Sequence, residues 1–139
     1  MTFDCSGICL VKNKLVLLAR RIEFNNGKRV PFGGYWSPFA GAIENGESPK
    51  DCAIRELKEE SGFSINPKDV FFQKVIKRKK TNVNFNFFIG MVKEFPKIEL
   101  DYEHTEFGIF KINRLETLSP VDDDVLNCLK KYYKNALPE

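Results

Sequence analysis

Residues 41–63 read GAIENGESPKDCAIRELKEESGF and are the most informative stretch of the 139-residue chain. Ser48 and Pro49 are typical of a helix start, because Ser caps the first turn and Pro fits the first helical position. Gly62 is typical of the residue that ends an α-helix, because that residue often adopts the left-handed backbone conformation that glycine allows. The sequence therefore predicts a helix that runs from Pro49 through Ser61 between two glycine-containing loops.

Three carboxylates of this helix, on Glu56, Glu59 and Glu60, are spaced i, i+3 and i+4. They fall within roughly a third of the helix circumference, where like charges repel one another. A divalent cation would neutralise such an unpaired triplet, and Mg²⁺ in particular prefers carboxylate oxygens together with substrate phosphates. Taken alone, the spacing supports a metal site and a solvated acidic face about equally.

The whole stretch resembles the Nudix box, written G-x5-E-x7-R-E-U-x-E-E-x-G-U with U an apolar residue. The matching residues are Gly41, Glu47, Arg55, Glu56, Leu57, Glu59, Glu60, Gly62 and Phe63. The only departure is Phe63, which is bulkier than the usual aliphatic residue. The resemblance implies a single Nudix hydrolase domain over residues 1–139, with an α/β fold in which a mixed β-sheet is sandwiched between α-helices.

The resemblance also implies roles for individual residues. The expected ligands of Mg²⁺ or Mn²⁺ are Glu56, Glu59 and Glu60, with Glu59 also a catalytic candidate. Arg55 would orient these carboxylates, and Glu47 would support Arg55. The backbone carbonyl of Ala40 would be a further ligand, although the family usually has Gly at that position and Ala restricts the backbone.

A second segment, Glu103-His104-Thr105-Glu106, resembles the E-H-x-E sequence that follows the box in many Nudix enzymes. The resemblance implies that Glu103 is an extra metal ligand or the general base, with Glu106 a weaker candidate. Local hydrogen bonding is the better interpretation of His104, the only histidine.

The reaction class follows from what the chain contains and lacks. A single histidine and no Ser-His-Asp or Cys-His pattern favour a water nucleophile over covalent catalysis. We expect metal-assisted hydrolysis of a phosphoanhydride. The resemblance to the Nudix family implies that the substrate is a nucleoside diphosphate linked to another group, with nucleoside triphosphates or dinucleoside polyphosphates favoured. The alternatives are ADP-ribose or another nucleotide sugar as substrate, and a nucleotide-sensing module without hydrolysis.

Candidate substrate-binding residues lie outside the box. Arg20 and Arg21 end a predicted hairpin and could clamp phosphates. The aromatic residues that could stack on a base are Tyr35, Trp36, Phe32, Phe85 and Phe87. Tyr35 and Trp36 are the favoured pair, because core packing is the better interpretation of Phe85 and Phe87. The basic run Lys77–Lys80 is interpreted as an exposed turn. The acidic run Asp122–Asp124 is interpreted as helix capping, because three consecutive acids point in different directions and do not form a calcium loop.

The remaining elements are predicted from apolar periodicity and turn residues. They are strands over 3–11, 14–20, 70–77, 83–92 and 107–112 and a loop over 22–34. A C-terminal helix is predicted to be opened by Ser119-Pro120 and the Asp122–Asp124 run and to end near residues 137–138.

Composition restricts the class of protein. With 42% hydrophobic and 29% charged residues the chain is globular, and a net charge of +3 permits an anionic small molecule without indicating nucleic acid. The four cysteines include no CxxC pair, which indicates free thiols rather than a zinc-binding site. We expect a cytoplasmic protein that binds a small nucleotide, with no membrane association and no stable nucleic-acid complex. The oligomeric state is left open, with a homodimer as one option.

Overall fold

The computed structural model describes residues 3–79 and 81–136. The strands are β1 (Phe3–Lys12), β2 (Leu15–Arg21), β3 (Phe24–Asn25), β4 (Lys28–Arg29), β5 (Trp36–Ser37), β6 (Phe39–Ala42), β7 (Val70–Arg78), β8 (Val83–Met91) and β9 (His104–Lys111). The helices are α1 (Pro49–Ser61) and α2 (Asp123–Ala136), and short 3₁₀ turns cover Pro67–Asp69 and Ile112–Thr117. Within the described residues, neither helix is long and apolar enough to cross a membrane.

Seven strands form one mixed sheet. Its order is β5-β2-β1-β8-β7, with β6 also pairing with β1 and β9 with β2. Strands β1 and β8 are parallel, and the other pairs are antiparallel. Strands β3 and β4 form a separate small hairpin inside the predicted loop over residues 22–34.

Both faces of the sheet are covered, as the alternation along β1 shows. Ile8 and Leu10 belong to the apolar cluster that contains the buried side of α1. Cys9 and Val11 point the other way, into the cluster that contains the buried side of α2. Because successive strand residues face opposite sides, β1 is buried on both. The predicted arrangement of a mixed sheet between α-helices is confirmed.

Strands β1 and β2 diverge toward one end of the sheet. They pair only through Leu10–Lys12 of β1, while Cys5–Ile8 pair with β6 instead. The other strand, β2, pairs with β5 through Ala19 and Arg20. Residues 36–42, named here the crossing segment, therefore run from β2 to β1 and fill the gap between them.

The predicted strands and helix over residues 3–92 are present, and the last predicted strand begins earlier in the sequence. Strand β9 starts at His104, before the predicted Phe107, because His104 and Glu106 pair with the end of β2. Helix α2 begins at Asp123, within the Asp122–Asp124 run that was predicted to open it together with Ser119-Pro120. Its predicted end near residues 137–138 lies outside the described residues. All four cysteines are free thiols, as predicted.

Candidate active site

Helix α1 begins and ends at the predicted residues. The Ser48 hydroxyl accepts a hydrogen bond from the Asp51 N–H at 3.1 Å. Gly62 has a φ of 81°, and its N–H donates to the Lys58 carbonyl. The apolar side of the helix, which includes the fully buried Leu57, packs on the sheet. Glu56 and Glu60 lie on the same buried face, so the helix holds their carboxylates at fixed positions beside β6.

Two of the three helix carboxylates are buried, with Glu56 only 9% exposed and Glu60 only 1% exposed. A Glu60 carboxyl oxygen accepts a hydrogen bond from the Ala40 N–H at 2.9 Å, and the Glu56 and Glu60 carboxyls hydrogen bond to each other. Burial, and then the neighbouring Glu56, raise the pKa of Glu60 far above its ordinary value, and burial also raises the pKa of Glu56. Such a pair retains a proton unless a cation replaces it.

The glycine that opens the box, Gly41, is required by close packing. A Cβ atom at this position would overlap the Glu56 carboxylate. Gly41 does not have a positive φ, so lack of space, and not backbone conformation, excludes a side chain. A larger residue would push Glu56 away from Glu60.

The backbone at Ala40 remains suited to binding a cation. Ala40 lies opposite Gly7 of β1, but its N–H donates to Glu60 rather than to β1. The N–H and C=O of one strand residue point to the same side, so the Ala40 carbonyl also faces away from β1. Its φ is not positive, so Ala is accommodated without strain.

Arg55 holds the acidic residues of the box together. Its Nε and Nη2 donate to the two carboxylate oxygens of Glu47 at 2.8 and 3.0 Å. Its Nη1 donates to Glu56 at 2.9 Å and to Glu59 at 3.2 Å, and Glu44 lies 3.1 Å from its Nε. The hydrogen bonds from Arg55 lower the pKa of Glu47 to about 2. Arg55 and Glu47 therefore make the pairing that the resemblance implied.

Glu59 has a different environment from the other two helix carboxylates. Its side chain is 57% exposed and contacts Arg55. The three glutamates are thus not an unpaired triplet, because Arg55 bridges two of them. The interpretation from spacing alone was wrong on this point, since it did not include the cation at the adjacent position.

The segment before β9 brings further carboxylates to Glu60. The side-chain oxygens of Glu60, Asp101 and Glu103 all lie within 4.8 Å of one another. The Asp101 carboxylate accepts a hydrogen bond from the Glu103 N–H at 3.2 Å and lies 3.0 Å from Nδ1 of the buried His104. His104 thus bonds locally. Glu106 is exposed and pairs instead with Arg20.

Asp101 was not predicted. It precedes Glu103 by two residues, and this i, i+2 spacing of acids is the only signal in the sequence. The position of Asp101 depends on the turn that leads into β9. The predicted start of that strand, Phe107, is three residues after the observed one.

A cavity of about 340 Å³ lies beside the box. The crossing segment forms one wall through residues that include Ala40 and Gly41, and the aromatic side chains of Phe32 and Phe85 contribute to its lining. Arg21 lines this cavity as well as an adjoining one of about 240 Å³, which Glu103 also lines. Arg21 therefore lies between the acidic cluster and the cavity.

The two arginines at the end of β2 have different surroundings. Arg20 donates to the Gly34 carbonyl and pairs with Glu106, and it does not line the 340 Å³ cavity. Arg21 does line it, and its buried Nε has no hydrogen-bond partner among the described residues. Of the two predicted phosphate-binding residues, the structure brings only Arg21 to the acidic cluster.

Neither predicted stacking residue lines the 340 Å³ cavity. Trp36 packs edge-to-face against Phe110, with ring centroids 5.1 Å apart. Tyr35 packs against Phe32, with centroids 5.5 Å apart. Two of the other aromatic candidates, Phe32 and Phe85, line the cavity instead.

The interpretation of residues 77–80 as an exposed turn was wrong for Arg78. Its side chain is only 11% exposed, and it is hydrogen bonded to Asp122 and Asp124. Asp122 also accepts a hydrogen bond from the Val125 N–H at 3.4 Å, so the predicted helix cap is present as well. Lys77 and Lys79, the described lysines of the run, are exposed, and their presence made the run look like a wholly exposed turn.

Comparisons with known proteins agree with this geometry. The family model for the NUDIX domain matches residues 2–129. An RNA pyrophosphohydrolase from a Nitratiruptor species is 32% identical over 103 residues, which cover 66% of each chain. The oxidized purine nucleoside triphosphate hydrolase of Mus musculus is 42% identical over 52 residues, which cover 37% of this chain and 33% of the relative.

The extent of these matches differs. Three curated relatives, the mouse protein among them, are matched over only 28% to 38% of their own length. The crystal structure of a MutT protein from Methanosarcina mazei Go1 has a TM-score of 0.79 at 21% identity, covering 97% of this chain and 95% of that one. That structure shows a shared fold. The family model matches nearly the whole chain, and on that ground the chain belongs to the NUDIX domain family.

Proposed function

We propose that the protein hydrolyses a phosphoanhydride bond in a nucleoside diphosphate linked to another group, with Mg²⁺ or Mn²⁺ as cofactor. Nucleoside triphosphates and dinucleoside polyphosphates are the favoured substrates. The observation that carries the proposal is the buried pair Glu56 and Glu60, which lies next to a cavity lined by Arg21. The pyrophosphohydrolase and triphosphate hydrolase activities named for two relatives support the same reaction class.

The donor atoms of the acidic cluster suit a hard divalent cation. They are all oxygens, and carboxylates and backbone carbonyls are the ligands that Mg²⁺ takes. The protonated Glu56 and Glu60 pair supports this assignment, because a cation would remove the cost of burying two carboxylates together. The proposed ligands are Glu56, Glu60, Glu103, Asp101, the Ala40 carbonyl and, at the exposed edge, Glu59.

In the proposed reaction a water molecule attacks one phosphorus atom, and the bond from that phosphorus to the bridging oxygen breaks. The bound metal would supply charge neutralisation and a more acidic water. Glu103 accepts the proton of the attacking water, because its carboxylate lies in the cluster and also faces the Arg21 cavity. Glu59 is the alternative base. Arg55 is a positioning residue that keeps Glu56 and Glu59 in place.

Arg21 is the proposed phosphate-binding residue. Its guanidinium has no ion-pair partner in the described parts of the chain, so a substrate phosphate would supply the missing negative charge. The nucleoside end would then occupy the 340 Å³ cavity, which is within the size range of small-molecule sites.

The proposal is tested by a hydrolysis panel of nucleoside triphosphates, dinucleoside polyphosphates and ADP-ribose, with Mg²⁺ and with Mn²⁺. We expect Glu60→Gln to lower kcat/KM by about 10²–10³-fold. Glutamine keeps an acceptor for the Ala40 N–H, so the variant should fold. A second measurement, the rise in melting temperature on adding Mg²⁺, should be present in the wild type and absent in Glu60→Gln.

The matched control is Glu94→Gln, which changes an exposed partner of Lys12 and should leave both measurements unchanged. Full activity in Glu60→Gln would refute the metal-site assignment. Nucleotide binding without hydrolysis of any substrate would instead identify a sensing module.

A further inference from the structure

Arg78, at the end of β7, is held in one orientation by two acidic residues. Its Nη1 and Nη2 donate to the two carboxylate oxygens of Asp122 at 3.1 and 2.7 Å. The second N–H of Nη1 donates to Asp124 at 2.8 Å. Three of the five N–H donors of this guanidinium are therefore occupied.

The faces of the guanidinium are also in contact with neighbours. Its central carbon lies 4.7 Å from the ring centroid of Phe32 and 5.0 Å from that of Phe85. The Nε–H and the second N–H of Nη2 have no hydrogen-bond acceptor in residues 3–79 and 81–136. These two N–H groups lie on the same edge of the planar group and point in parallel, so together they form an unused fork.

Arg78, which carries this fork, lines the cavity beside the box. Arg78, Phe32, Phe85 and Asp122 all line the 340 Å³ cavity whose other wall contains Gly41. If the substrate phosphates lie at Arg21 and the acidic cluster, then the nucleoside extends toward Arg78. This inference thus rests on the proposed function.

We propose that the free fork of Arg78 recognises the O6 and N7 acceptors of a 6-oxopurine, so that guanine or hypoxanthine nucleotides are the preferred substrates. An arginine fork matches this pair of acceptors, whereas adenine presents an amino donor at the same edge. Oxidation of guanine at C8 converts N7 from an acceptor into an N–H donor, so an oxidised guanine would be rejected.

Charge favours a base over a phosphate at this position. Asp122 and Asp124 already provide two negative charges for the single positive charge of Arg78. A phosphate at the fork would add further negative charge, while a neutral pair of acceptors would not. Arg21 has no such partners and is better suited to the phosphates.

The test compares kcat/KM of the wild type for GTP, ITP, ATP, 7-deaza-GTP and 8-oxo-GTP. GTP and ITP should exceed the other three by roughly tenfold to a hundredfold, because each of those lacks one of the two acceptors. Calorimetric binding of GMP and AMP gives a second measure that does not depend on hydrolysis, and GMP should bind more tightly by a similar factor.

Arg78→Lys keeps the charge beside Asp122 but removes the fork, so the preference for GTP over ATP should fall to within about threefold. The matched control, Arg114→Lys, alters an exposed arginine and should keep the preference. Thermal unfolding shows whether each variant is folded. If Arg78→Lys does not fold, the comparison of GTP with 7-deaza-GTP in the wild type still tests the proposal.

Equal rates for GTP, 7-deaza-GTP and ATP would overturn the inference while leaving the proposed function intact. An equal loss for every nucleotide in Arg78→Lys would also overturn it, since this would place a phosphate at the fork. Failure of the wild type to hydrolyse any nucleotide would refute the proposed function, and the binding of GMP and AMP would still decide this inference.

Discussion

Arg55 and Arg78 each hold more than one carboxylate, but they differ in how many donors remain. All five N–H groups of Arg55 have acceptors, which come from its acidic partners and from the Ala42 carbonyl. Within residues 3–79 and 81–136, Arg78 finds acceptors for three, and the edge that carries Nε has none. A fully used guanidinium can only position its neighbours, whereas one with a free edge can also bind a ligand.

The two centres also differ in charge. Four glutamates surround Arg55, so its neighbourhood keeps an excess of negative charge that suits a metal ion. Around Arg78 there are only two aspartates among the described residues, and aromatic rings cover the guanidinium. The same residue type thus supports a metal site in one place and a base pocket in the other.

The largest effect is expected for Arg55→Ala. Without the guanidinium, Glu47 and Glu56 lose their partner and Glu56 can leave Glu60. We expect a fall in melting temperature of roughly 10 °C and a loss of kcat/KM of about a hundredfold. Thermal unfolding and the hydrolysis panel measure both, with Arg114→Ala as the control. Activity within a few-fold of the wild type would show that Arg55 does not position the carboxylates.

The second prediction separates the two partners of Arg78. The Asp122 side chain is 5% exposed and that of Asp124 is 56% exposed. Asp122→Asn should lower the free energy of unfolding by about 3 kcal/mol, because it leaves a buried cation poorly compensated. Asp124→Asn should cost less than about 1 kcal/mol. Asn is also a good helix cap, so the substitution at Asp122 isolates the effect of charge.

Chemical denaturation of the two variants gives these free energies. An equal loss in free energy of unfolding for the two variants would show that the burial of Asp122 does not strengthen its pairing with Arg78.

The smallest effect concerns pH and the Arg55 centre. The pKa of Glu47 falls from 4.5 to about 2 on folding, because Arg55 stabilises the carboxylate. A lowered pKa contributes stability that is fully present above about pH 4.5 and is lost as the pH falls toward 2. The difference in melting temperature between the wild type and Glu47→Gln should therefore shrink from pH 5 to pH 3. A constant difference would contradict this assignment.

The part of the site that lies within one helix was predictable from sequence. Arg55, Glu56 and Glu60 occur within six residues, and the capped helix fixes their relative positions. Glu47 is only eight residues from Arg55. Local periodicity and a recognisable motif therefore identified this centre, including the pairing of Glu47 with Arg55.

The Arg78 centre was not predictable in the same way. Arg78 and Asp122 are separated by 44 positions, and their contact requires both the end of β7 and the start of α2 to be in place. In the sequence Arg78 belongs to a basic run that was interpreted as an exposed turn, and Asp122 belongs to an acidic run that was interpreted as helix capping. The early start of β9 was missed for a similar reason, since His104 pairs with Arg21 across more than eighty positions.

The crossing segment has a consequence for how specificity can change during evolution. It presents Ala40 and Gly41 to the acidic cluster from one strand, while Ser37 and Pro38 line the cavity. Other lining residues come from β7, β8 and the residues before α2, which carry none of the proposed metal ligands. Substitutions among these residues can therefore alter the preferred nucleobase while the hydrolytic apparatus is inherited unchanged.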